Sequence, residues 1–478
     1  MTQNPTKIVC TLGPATSSPE MVSGLLAAGM DVARLNMSHG EYDTHAAAIA
    51  LVRRLAAEAG LHTAILMDLQ GPRIRAGLMQ DGAVTLAAGA TCVVTTEEVL
   101  GTAERFGTTY ARLAHDVEVG DRVLIDDGLL ELRVTAFTET EVTCEVVRGG
   151  VLRDHKGINL PGVQVSEPSV TEKDLADLEW GLKAGVDYVA LSFVRTADDI
   201  RVLKRAIAER GHTEPVVAKL ERPEAMDHLE EIVEVADAIM VARGDLAVEA
   251  SPEQVPILQK LIIAACARGR KPVITATQML ESMRESPRPT RAEASDVANA
   301  ILDGTDAVML SGETAAGKYP LESVQMMRRI CEAAEGSQLA GQHLQTCGFT
   351  GGVADFANAV SEAAAVTAER IGAQAIVAFT QSGSTARLAS KCRPRAPIVA
   401  VTPLPETARR ANLYWGVEPV VVERAVDTDE AIRLIDSTLR ESGLVAPGQP
   451  VVIMAGTPIA VRGTTNLMKL HIVGSPTG

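Results

Sequence analysis

Short runs of apolar residues recur along the first two thirds of the chain, and segments with a helical spacing of apolar residues separate them. Parallel strands buried on both faces have such continuous apolar runs, and their alternation with helices is typical of α/β folds. The runs that we interpret as strands are 7–12, 31–36, 63–69, 187–193, 215–220, 238–242, 272–278 and 306–310. Eight such units favour a closed (β/α)8 TIM barrel, which we predict for residues 1–75 and 163–335.

The connection between the third and fourth runs is too long for a single crossover helix. Residues 76–162 alternate apolar and polar positions, are rich in valine, threonine and glycine, and contain Asp-Gly turns. We therefore predict a small inserted β-barrel domain over this segment. A helix is expected to follow Thr171, whose hydroxyl can cap a first turn that contains Glu172 and Asp174.

A second α/β region follows the barrel. A stretch without apolar periodicity ends near residue 353, and helical segments then alternate with apolar runs such as 375–380 and 397–402. We predict a C-terminal α/β domain for residues 353–478.

Composition restricts the partners and the location of the protein. Aromatic residues are only 3% of the chain and the net charge is -16, so a nucleic-acid partner is not expected. The seven cysteines include no Cys-x-x-Cys pair, which argues against a zinc site or a disulfide framework. No segment has the apolar character of a signal peptide or a membrane span, so we expect a cytoplasmic protein without a membrane partner.

Polar side chains stand at or just after the C-terminal end of nearly every predicted barrel strand. These ends meet on one face, where barrel enzymes place their chemistry. A solvated charge or a salt bridge is the plainer interpretation at any single strand, but the recurrence favours a shared site. The side chains are those of Arg34, Asn36, Ser38, His39, Asp68, Arg73, Arg75, Ser192, Lys219, Glu221, Arg243, Asp245, Thr277, Ser311 and Glu313.

The residue types in this set indicate phosphoryl transfer. Glu221 and Asp245 follow neighbouring strands and offer oxygen ligands without histidine or cysteine, which suits Mg²⁺ or Mn²⁺. A metal ion, a lysine such as Lys219 and several arginines are what this reaction requires. Gly244 has no side chain and would let backbone N–H groups approach an anionic substrate. A mutual ion pair is the alternative interpretation of Lys219 and Glu221.

Two common nucleotide-binding motifs are not supported. Gly312–Lys318 has the spacing of a P-loop, but Tyr319 follows where a serine or threonine would bind Mg²⁺. The chain has no Gly-x-Gly-x-x-Gly loop, which removes the main sequence support for a dehydrogenase.

With these residues assembled, the chain resembles the pyruvate kinase family. The resemblance covers the barrel and the insert almost throughout and rests on stretches such as TKIVCTLGPA, AGMDVARLNMSHG, DLQGPRIR, HKGINLPG, AKLERPEA, MVARGDLAVE and TATQMLESM. It implies an allosterically regulated enzyme of the final step of glycolysis. Such an enzyme transfers the phosphoryl group of phosphoenolpyruvate to ADP and gives ATP and pyruvate.

The resemblance also implies roles for individual residues. Lys219 would stabilise the moving phosphoryl group, Glu221 and Asp245 would bind Mg²⁺ or Mn²⁺, and Thr277 would lie near the enolate with Ser311 in support. The identity of the proton donor stays open. The substrate would be bound by Arg34, Ser192, Phe193, Lys219, Gly244, Asp245 and Thr277, and the nucleotide by Asn36, Met37, Ser38, His39, Arg75 and Lys156. Closure of the insert would bring in Lys156, although a solvated loop charge is the alternative.

One departure from the family concerns the monovalent cation, whose region corresponds to Asn36, Ser38, Asp68 and Leu69. Potassium-requiring members have Asp-Thr followed by a glutamate where this chain has Asp68, Leu69 and, at the glutamate position, Arg73. A fixed guanidinium could replace the charge of K⁺ and repel a second cation. We therefore expect a weak K⁺ requirement or none.

The C-terminal domain resembles the effector domain of the family. The loop before a predicted helix offers hydroxyls and N–H groups for a phosphate, although a plain turn is the alternative. Its candidate ligands are Thr380, Ser382, Gly383, Ser384 and Thr385, with Arg462 on a facing loop. We expect activation by a phosphorylated sugar or a nucleoside monophosphate, and the resemblance implies a homotetramer.

Two other functions compete with this interpretation. One is a carbon–carbon lyase on a barrel that uses Mg²⁺ with phosphoenolpyruvate or pyruvate, and the other is a non-enzymatic relative that only binds effectors. The inserted domain with its HKGINLPG loop favours the kinase over the lyase. Retention of Lys219, Glu221, Asp245 and Thr277 argues against a non-enzymatic protein.

Overall fold

The chain begins with three strands that alternate with two helices in the computed structural model, which describes residues 5–337, 355–458 and 465–475. Ser18 caps the first helix by accepting a hydrogen bond from Met21 N, and Gly29 ends it with a left-handed backbone (φ 110°). The elements are β1 (Lys7–Thr11), α1 (Pro19–Ala28), β2 (Val32–Asn36), α2 (Tyr42–Glu58) and β3 (Ala64–Asp68).

A domain of two sheets follows β3. Its elements are β4 (Ala83–Leu86), β5 (Thr91–Thr95), β6 (Arg105–Gly107), α3 (Leu113–Asp116), β7 (Arg122–Ile125), β8 (Leu130–Phe137), β9 (Glu141–Arg148), β10 (Gly150–Arg153) and β11 (Ile158–Asn159). Six strands form one sheet in the order β11-β7-β8-β9-β5-β6, and β10 pairs with β4 in the other. Alternate residues such as Val142 and Val146 point into a common core with Phe106.

The chain then returns to the first sheet with alternating helices and strands. Thr171 caps the first of these helices, as predicted, because its hydroxyl accepts a hydrogen bond from Asp174 N at 3.1 Å. The elements are α4 (Glu172–Ala184), β12 (Tyr188–Leu191), α5 (Ala197–Glu209), β13 (Val216–Leu220), α6 (Leu229–Val235), β14 (Ala238–Ala242), α7 (Arg243–Glu249), α8 (Val255–Arg268), β15 (Val273–Ala276), α9 (Arg291–Asp303), β16 (Ala307–Leu310), α10 (Gly312–Ala315) and α11 (Pro320–Glu335). Short 3₁₀ turns cover Pro14–Thr16, Gln80–Gly82, Pro223–His228 and Glu281–Arg284.

The first sheet closes into a barrel of eight parallel strands in the order β1-β2-β3-β12-β13-β14-β15-β16. Alternate residues of each strand pack inward and outward, so Val9 belongs to the barrel interior while Ile8 and Cys10 pack against the helices. Each of the eight predicted apolar runs contains one of these strands. The predicted (β/α)8 barrel is therefore confirmed.

The C-terminal region forms a five-stranded sheet with helices, which confirms the predicted α/β class. Its elements are α12 (Phe356–Ile371), β17 (Ile376–Phe379), α13 (Ser384–Lys391), β18 (Ile398–Thr402), α14 (Pro405–Ala411), β19 (Val417–Val421), α15 (Thr428–Glu441), β20 (Pro450–Ala455) and β21 (Leu467–Ile472). The strand order is β19-β18-β17-β20-β21, and only β21 runs antiparallel to its neighbour.

The C-terminal domain packs on the N-terminal ends of the barrel strands. Asp187, just before β12, pairs with Arg409 at 2.8 Å, and Asp306, just before β16, pairs with Lys391 at 2.8 Å. The opposite end of the barrel therefore faces the inserted sheets. None of the helices within the described ranges has the length and apolar character that a membrane crossing requires.

Candidate active site

Four neighbouring strands bring charged and hydroxyl groups together at the C-terminal end of the barrel. Lys219 Nζ lies 3.1 Å from Asp68 Oδ1 and 3.0 Å from Glu221 Oε1, and it donates to Ser192 Oγ at 2.6 Å. Arg34 approaches Asp68 Oδ2 with Nε at 2.7 Å and Nη2 at 2.6 Å. The mutual ion pair that was the alternative for Lys219 and Glu221 is thus present, but it is part of a larger buried cluster.

Burial and mutual charge determine the ionisation of this cluster. Burial opposes ionisation of Asp68, but the charges of Lys219 and Arg34 outweigh it and lower the pKa of that carboxyl. Burial also works against the Lys219 ammonium, yet Asp68 and Glu221 raise its pKa above the ordinary value. For Glu221 burial dominates, and with the charges of Asp245 and Asp68 it raises the pKa to about 7 despite Lys219. The cluster therefore holds one carboxylate that a further cation would stabilise.

Helix α7 starts directly after β14 and places Arg243, Gly244 and Asp245 in its first turn. The Arg243 guanidinium pairs with Asp296 at 2.7 Å and donates to Thr277 O at 2.8 Å, so it fixes the end of β15. Gly244 N donates to Thr277 Oγ1 at 2.7 Å. Asp245 lines the cleft described below. Arg243 is thus structural, whereas Gly244 contacts Thr277 and Asp245 reaches the cleft.

The backbone at this end of the barrel is strained at three residues. Phe193, Thr277 and Gln278 have φ values of 56°, 65° and 54°, a region that non-glycine residues rarely adopt. Each such residue costs of order 1–3 kcal/mol and persists only where neighbouring contacts hold it. Phe193 N donates to Glu221 Oε2 at 2.7 Å, and Thr277 Oγ1 accepts from Gly244 N. Strain and polar contacts therefore coincide at these two strand ends.

Ser311 and Glu313 follow the last barrel strand and differ in their contacts. The Ser311 hydroxyl is buried and has no hydrogen-bond partner among the described residues, which leaves it free for a ligand. Glu313 accepts hydrogen bonds from Leu280 N at 3.0 Å and Ser311 N at 2.8 Å. Glu313 therefore ties two loops together and is structural.

A cleft of about 400 Å³ separates the barrel from the inserted sheets. Residues of both domains line it, including Arg73, Arg75, Asp126, Asp127, Lys156, Phe193, Arg222 and Asp245. Lys156 Nζ pairs with Asp126 Oδ1 at 2.8 Å, and Arg75 Nη1 donates to His155 O at 3.2 Å. The structure thus brings Arg75 and Lys156 to the same cleft as Asp245.

The turn after β2 carries the remaining predicted nucleotide residues. Asn36 Oδ1 accepts a hydrogen bond from Ser38 N at 3.2 Å, and Met37 N donates to Asp68 O at 3.0 Å. Burial and then the charges of Arg73, Arg75 and Arg34 lower the pKa of His39. The turn therefore adjoins a strongly positive region.

The two residues that depart from the family at the monovalent-cation region occupy different environments. Leu69 is buried, and its backbone N–H donates to Ala190 O at 3.0 Å. Arg73 is exposed, and its charge lowers the pKa of Arg75 in addition to burial. The positive charge at position 73 therefore lies near the side chains of the cleft.

A contact between the insert and α7 was not predicted from the sequence. Asn159 Nδ2 donates to Glu249 Oε1 at 2.8 Å, and burial raises the pKa of Glu249. Arg222 stands over the Phe193 ring at 5.9 Å. Four buried side-chain atoms of residues 222–251 have no hydrogen-bond partner among the described residues: Arg222 Nε, Glu224 Oε2, Glu249 Oε2 and Ser251 Oγ. The only indication in the sequence was that Asn159 lies in HKGINLPG and Glu249 in MVARGDLAVE, two of the stretches that carry the family resemblance.

The predicted effector loop brings its hydroxyls together before α13. Thr380 Oγ1 accepts from Gly383 N at 2.9 Å, and Gly383 has a left-handed backbone (φ 84°). Ser382 Oγ lies 3.0 Å from Ser384 Oγ, and Thr385 Oγ1 lies 2.8 Å from Thr465 Oγ1. Arg462 lies outside the described residues.

Comparison with known proteins gives concordant results. Two family models match: pyruvate kinase, barrel domain, over residues 3–324 and pyruvate kinase, alpha/beta domain, over residues 358–471. Pyruvate kinases from two strains of Staphylococcus aureus are each 48% identical over 475 residues, which is 98% of this chain and 80% of theirs. A crystal structure of a pyruvate kinase from Cryptosporidium parvum gives a TM-score of 0.92 at 36% identity and covers 99% of this chain and 97% of that chain.

Proposed function

The chain belongs to the pyruvate kinase family, and we propose that the cluster around Lys219 transfers the phosphoryl group of phosphoenolpyruvate to ADP. The protein is a phosphotransferase with phosphoenolpyruvate and ADP as substrates. The observation that carries the assignment of residues is the buried convergence of Lys219, Arg34, Asp68 and Glu221 at the catalytic end of the barrel.

Lys219 neutralises the phosphoryl group as it moves between the two substrates. Phosphoryl transfer depends mainly on positioning and on compensation of charge. Contacts with Asp68 and Ser192 already hold the ammonium in place, so little reorganisation is needed during the reaction. Because its neighbours raise its pKa, Lys219 acts as a cation and not as a base. Arg34, held by Asp68 and by Thr11 Oγ1 at 2.9 Å, binds the substrate phosphate.

Glu221 and Asp245 are the residues that fit a divalent cation. Pyruvate kinases generally require Mg²⁺ and K⁺. Burial and the neighbouring charge of Asp245 raise the pKa of Glu221, and a cation held by both carboxylates would remove that repulsion. Within the described ranges no three or more His, Cys, Asp or Glu side chains form a metal-binding group, in agreement with an ion that keeps water and substrate oxygens as ligands. When bound, Mg²⁺ or Mn²⁺ would neutralise negative charge on the transferring phosphate.

The remaining substrate contacts come from the strained strand ends. The Asp245 N–H binds the substrate carboxylate, and Gly244, whose own N–H holds Thr277 Oγ1, lets the carboxylate approach because it has no side chain. Ser192 and Phe193 form the adjoining wall. Thr277 Oγ1 accepts from Gly244 N and can donate to Ala276 O at 2.7 Å, which positions it beside the enolate. Thr277, or a water that it holds, delivers the proton that converts enolpyruvate to pyruvate, and solvent returns a proton to this donor. The unpartnered Ser311 hydroxyl supports this step.

The nucleotide binds in the cleft between the two domains. Arg75, Lys156 and the turn from Asn36 to His39 contact its phosphates. Lys156 belongs to the insert, so closure of the insert carries this charge toward Asp245 and excludes water. A carbon–carbon lyase has no use for a second phosphate-binding cleft of this kind, which favours the kinase.

The kinase assignment is tested by steady-state kinetics. We expect pyruvate formation that depends on phosphoenolpyruvate, ADP and Mg²⁺ together. Pyruvate or another keto acid formed at the same rate without ADP would instead support the lyase. No turnover in a folded preparation would support the non-enzymatic alternative.

The monovalent cation is replaced by Arg73 in this chain. The charge of Arg73 lowers the pKa of both His39 and Arg75, so a second cation in the same region meets repulsion. We expect the rate in K⁺-free buffer to change little when KCl is added. Arg73→Glu should create a K⁺ requirement. A large stimulation of the wild-type rate by KCl, absent with NaCl, would contradict this proposal.

The C-terminal domain regulates the enzyme through the loop of Thr380, Ser382, Gly383, Ser384 and Thr385. The clustered hydroxyls and N–H groups at the start of α13 support binding of a phosphorylated sugar or a nucleoside monophosphate. We expect such a compound to lower the half-saturating concentration of phosphoenolpyruvate. We also propose a homotetramer, which light scattering would report as four times the 50.4 kDa of one chain.

A further inference from the structure

A cavity of about 590 Å³ lies between the N-terminal face of the barrel and the C-terminal domain, at the far end of the barrel from the active site. Volumes of this size are typical of small-molecule sites. Its barrel wall includes Tyr188, Pro215 and Lys271, and its other wall includes Arg387, Arg410 and Tyr414.

The acidic residues of the wall are mostly neutralised by cations. Asp187 pairs with Arg53 at 2.6 Å and with Arg409 at 2.8 Å. Asp237 pairs with Lys204 at 2.8 Å. These carboxylates have little capacity left to compensate further positive charge in the cavity.

Three cations of the wall lack such compensation. Among the described residues, Lys271 and Arg387 have no carboxylate within 4.0 Å, and Arg410 has only Glu214 at 3.7 Å. Lys271 Nζ donates instead to two backbone carbonyls, at 2.6 Å and 3.0 Å, and Arg387 donates to Arg270 O. Against these three cations the wall offers one further acid, Glu406, which has no described ion-pair partner.

Lys271 and Arg387 are close enough for their charges to repel each other, and the charge of Asp237 offsets only part of this effect on Lys271. Burial lowers the pKa of Lys271, and the charge of Arg387 lowers it further. Two phenol groups complete this part of the wall. Tyr188 Oη donates to Arg410 O at 2.7 Å and is hydrogen-bonded to Tyr414, and burial raises the pKa of both phenols, so this part of the wall stays uncharged. An anion between the cations would relieve the repulsion and accept hydrogen bonds from the ammonium and guanidinium groups.

We propose that this cavity binds a phosphomonoester dianion through Lys271, Arg387 and Arg410. A phosphate offers enough acceptor oxygens for two guanidinium groups and an ammonium at once. Ser382 and Ser384 of the effector loop border the cavity, so the inference deepens the proposed effector role and rests on it in part. The wall includes Tyr188, the first residue of β12, and Pro215, which precedes β13, and these strands lead to Ser192 and Lys219.

The test is direct binding of inorganic phosphate and of glycerol 3-phosphate to the full chain, measured by isothermal titration calorimetry. We expect Arg387→Gln and Lys271→Gln each to weaken binding about tenfold or more, the effect of losing a hydrogen bond between charged groups. Arg395→Gln is the matched control, because this arginine is 91% exposed and does not line the cavity, and its affinity should equal that of the wild type. Since binding is measured without turnover, the result does not depend on kinase activity.

Two further variants separate the cavity from the effector loop and from folding defects. Arg387→Lys keeps the charge and should retain binding, and the thermal unfolding temperature of each variant reports whether it folds. Thr380→Val removes the hydroxyl that holds Gly383 N and does not line the cavity. If Thr380→Val lost phosphate and Arg387→Gln and Lys271→Gln kept it, the anion would bind at the loop alone and the inference would be wrong. Absence of phosphate binding to the wild type would overturn it as well.

Discussion

The two ends of the barrel use the same kinds of residue in opposite ways. At the N-terminal end, Asp306 accepts a hydrogen bond from Val273 N at 2.7 Å and pairs with Lys391 and Arg393, both at 2.8 Å. At the C-terminal end, Glu221 has one ammonium, one backbone donor and a pKa of about 7. The first carboxylate is fully compensated, whereas the second is not.

This difference distinguishes a structural network from a reactive one. A buried carboxylate with enough partners holds two domains together and has no capacity for a ligand. A buried carboxylate whose pKa is raised can bind a cation or exchange a proton, as functional sites require. Burial of charge by itself therefore does not identify the active site, but incomplete compensation does.

The largest effect is expected from Lys219→Met. Methionine nearly preserves the volume but removes the charge that meets the moving phosphoryl group, so kcat should fall about 10³-fold or more. The variant should still fold, because Asp68 keeps Arg34 and Glu221 can become protonated, and circular dichroism checks this. Turnover close to that of the wild type would remove Lys219 from the mechanism.

Lys391→Met is the matched substitution at the other end of the barrel. It removes one of two cations from a buried carboxylate, which should lower the free energy of unfolding by about 3 kcal/mol. Urea unfolding followed by circular dichroism measures this loss. The kcat of the folded variant should stay near the wild-type value. Arg395→Met is the exposed control, and a loss of stability no larger than that of this control would contradict the structural role of Lys391.

The pKa of Glu221 predicts competition between protons and metal. Its value rises from 4.5 in the unfolded chain to about 7 in the fold. The raised pKa of Glu221 therefore contributes to the stability of the metal-free protein in full below pH 4.5, and this contribution is lost as the pH rises through about 7. Metal binding requires the ionised form, so the apparent Mg²⁺ affinity should fall about tenfold per pH unit below neutrality. Calorimetric titrations that gave one Mg²⁺ affinity from acidic to alkaline pH would exclude this behaviour.

The smallest expected effect comes from the contact between the insert and α7. Asn159→Ala removes the hydrogen bond to Glu249 and should reduce kcat/KM for ADP by roughly tenfold at most. The KM for phosphoenolpyruvate should change less, because α7 keeps its contact with Thr277. Asn159→Gln is the conservative control. Equal losses for both substrates would indicate a general folding defect and not a role in closure.

The barrel could be predicted from the sequence because its signal is local. Strand β14 coincides with the predicted run 238–242, and every other predicted run encloses a strand. Convergence of Lys219, Glu221 and Asp68 then followed from the rule that strand ends share one face. Sequence periodicity and barrel geometry were sufficient for this part.

The remaining features depend on contacts that no local pattern encodes. Asn159 and Glu249 are 90 positions apart and belong to different domains, and Arg409 and Asp187 are 222 positions apart. The left-handed backbone of Thr277 was also unexpected, since a β-branched residue normally avoids it and no glycine marks the place. Such features arise from tertiary packing and require the structure.

The most direct test of the account is a crystal structure of the protein with Mn²⁺ and phosphoenolpyruvate, in which anomalous scattering locates the metal. We predict one ion bound by carboxylate oxygens of both Glu221 and Asp245, with the substrate phosphate beside Lys219. A metal that contacted neither carboxylate, or only one of them with the phosphate away from Lys219, would contradict the proposed active site.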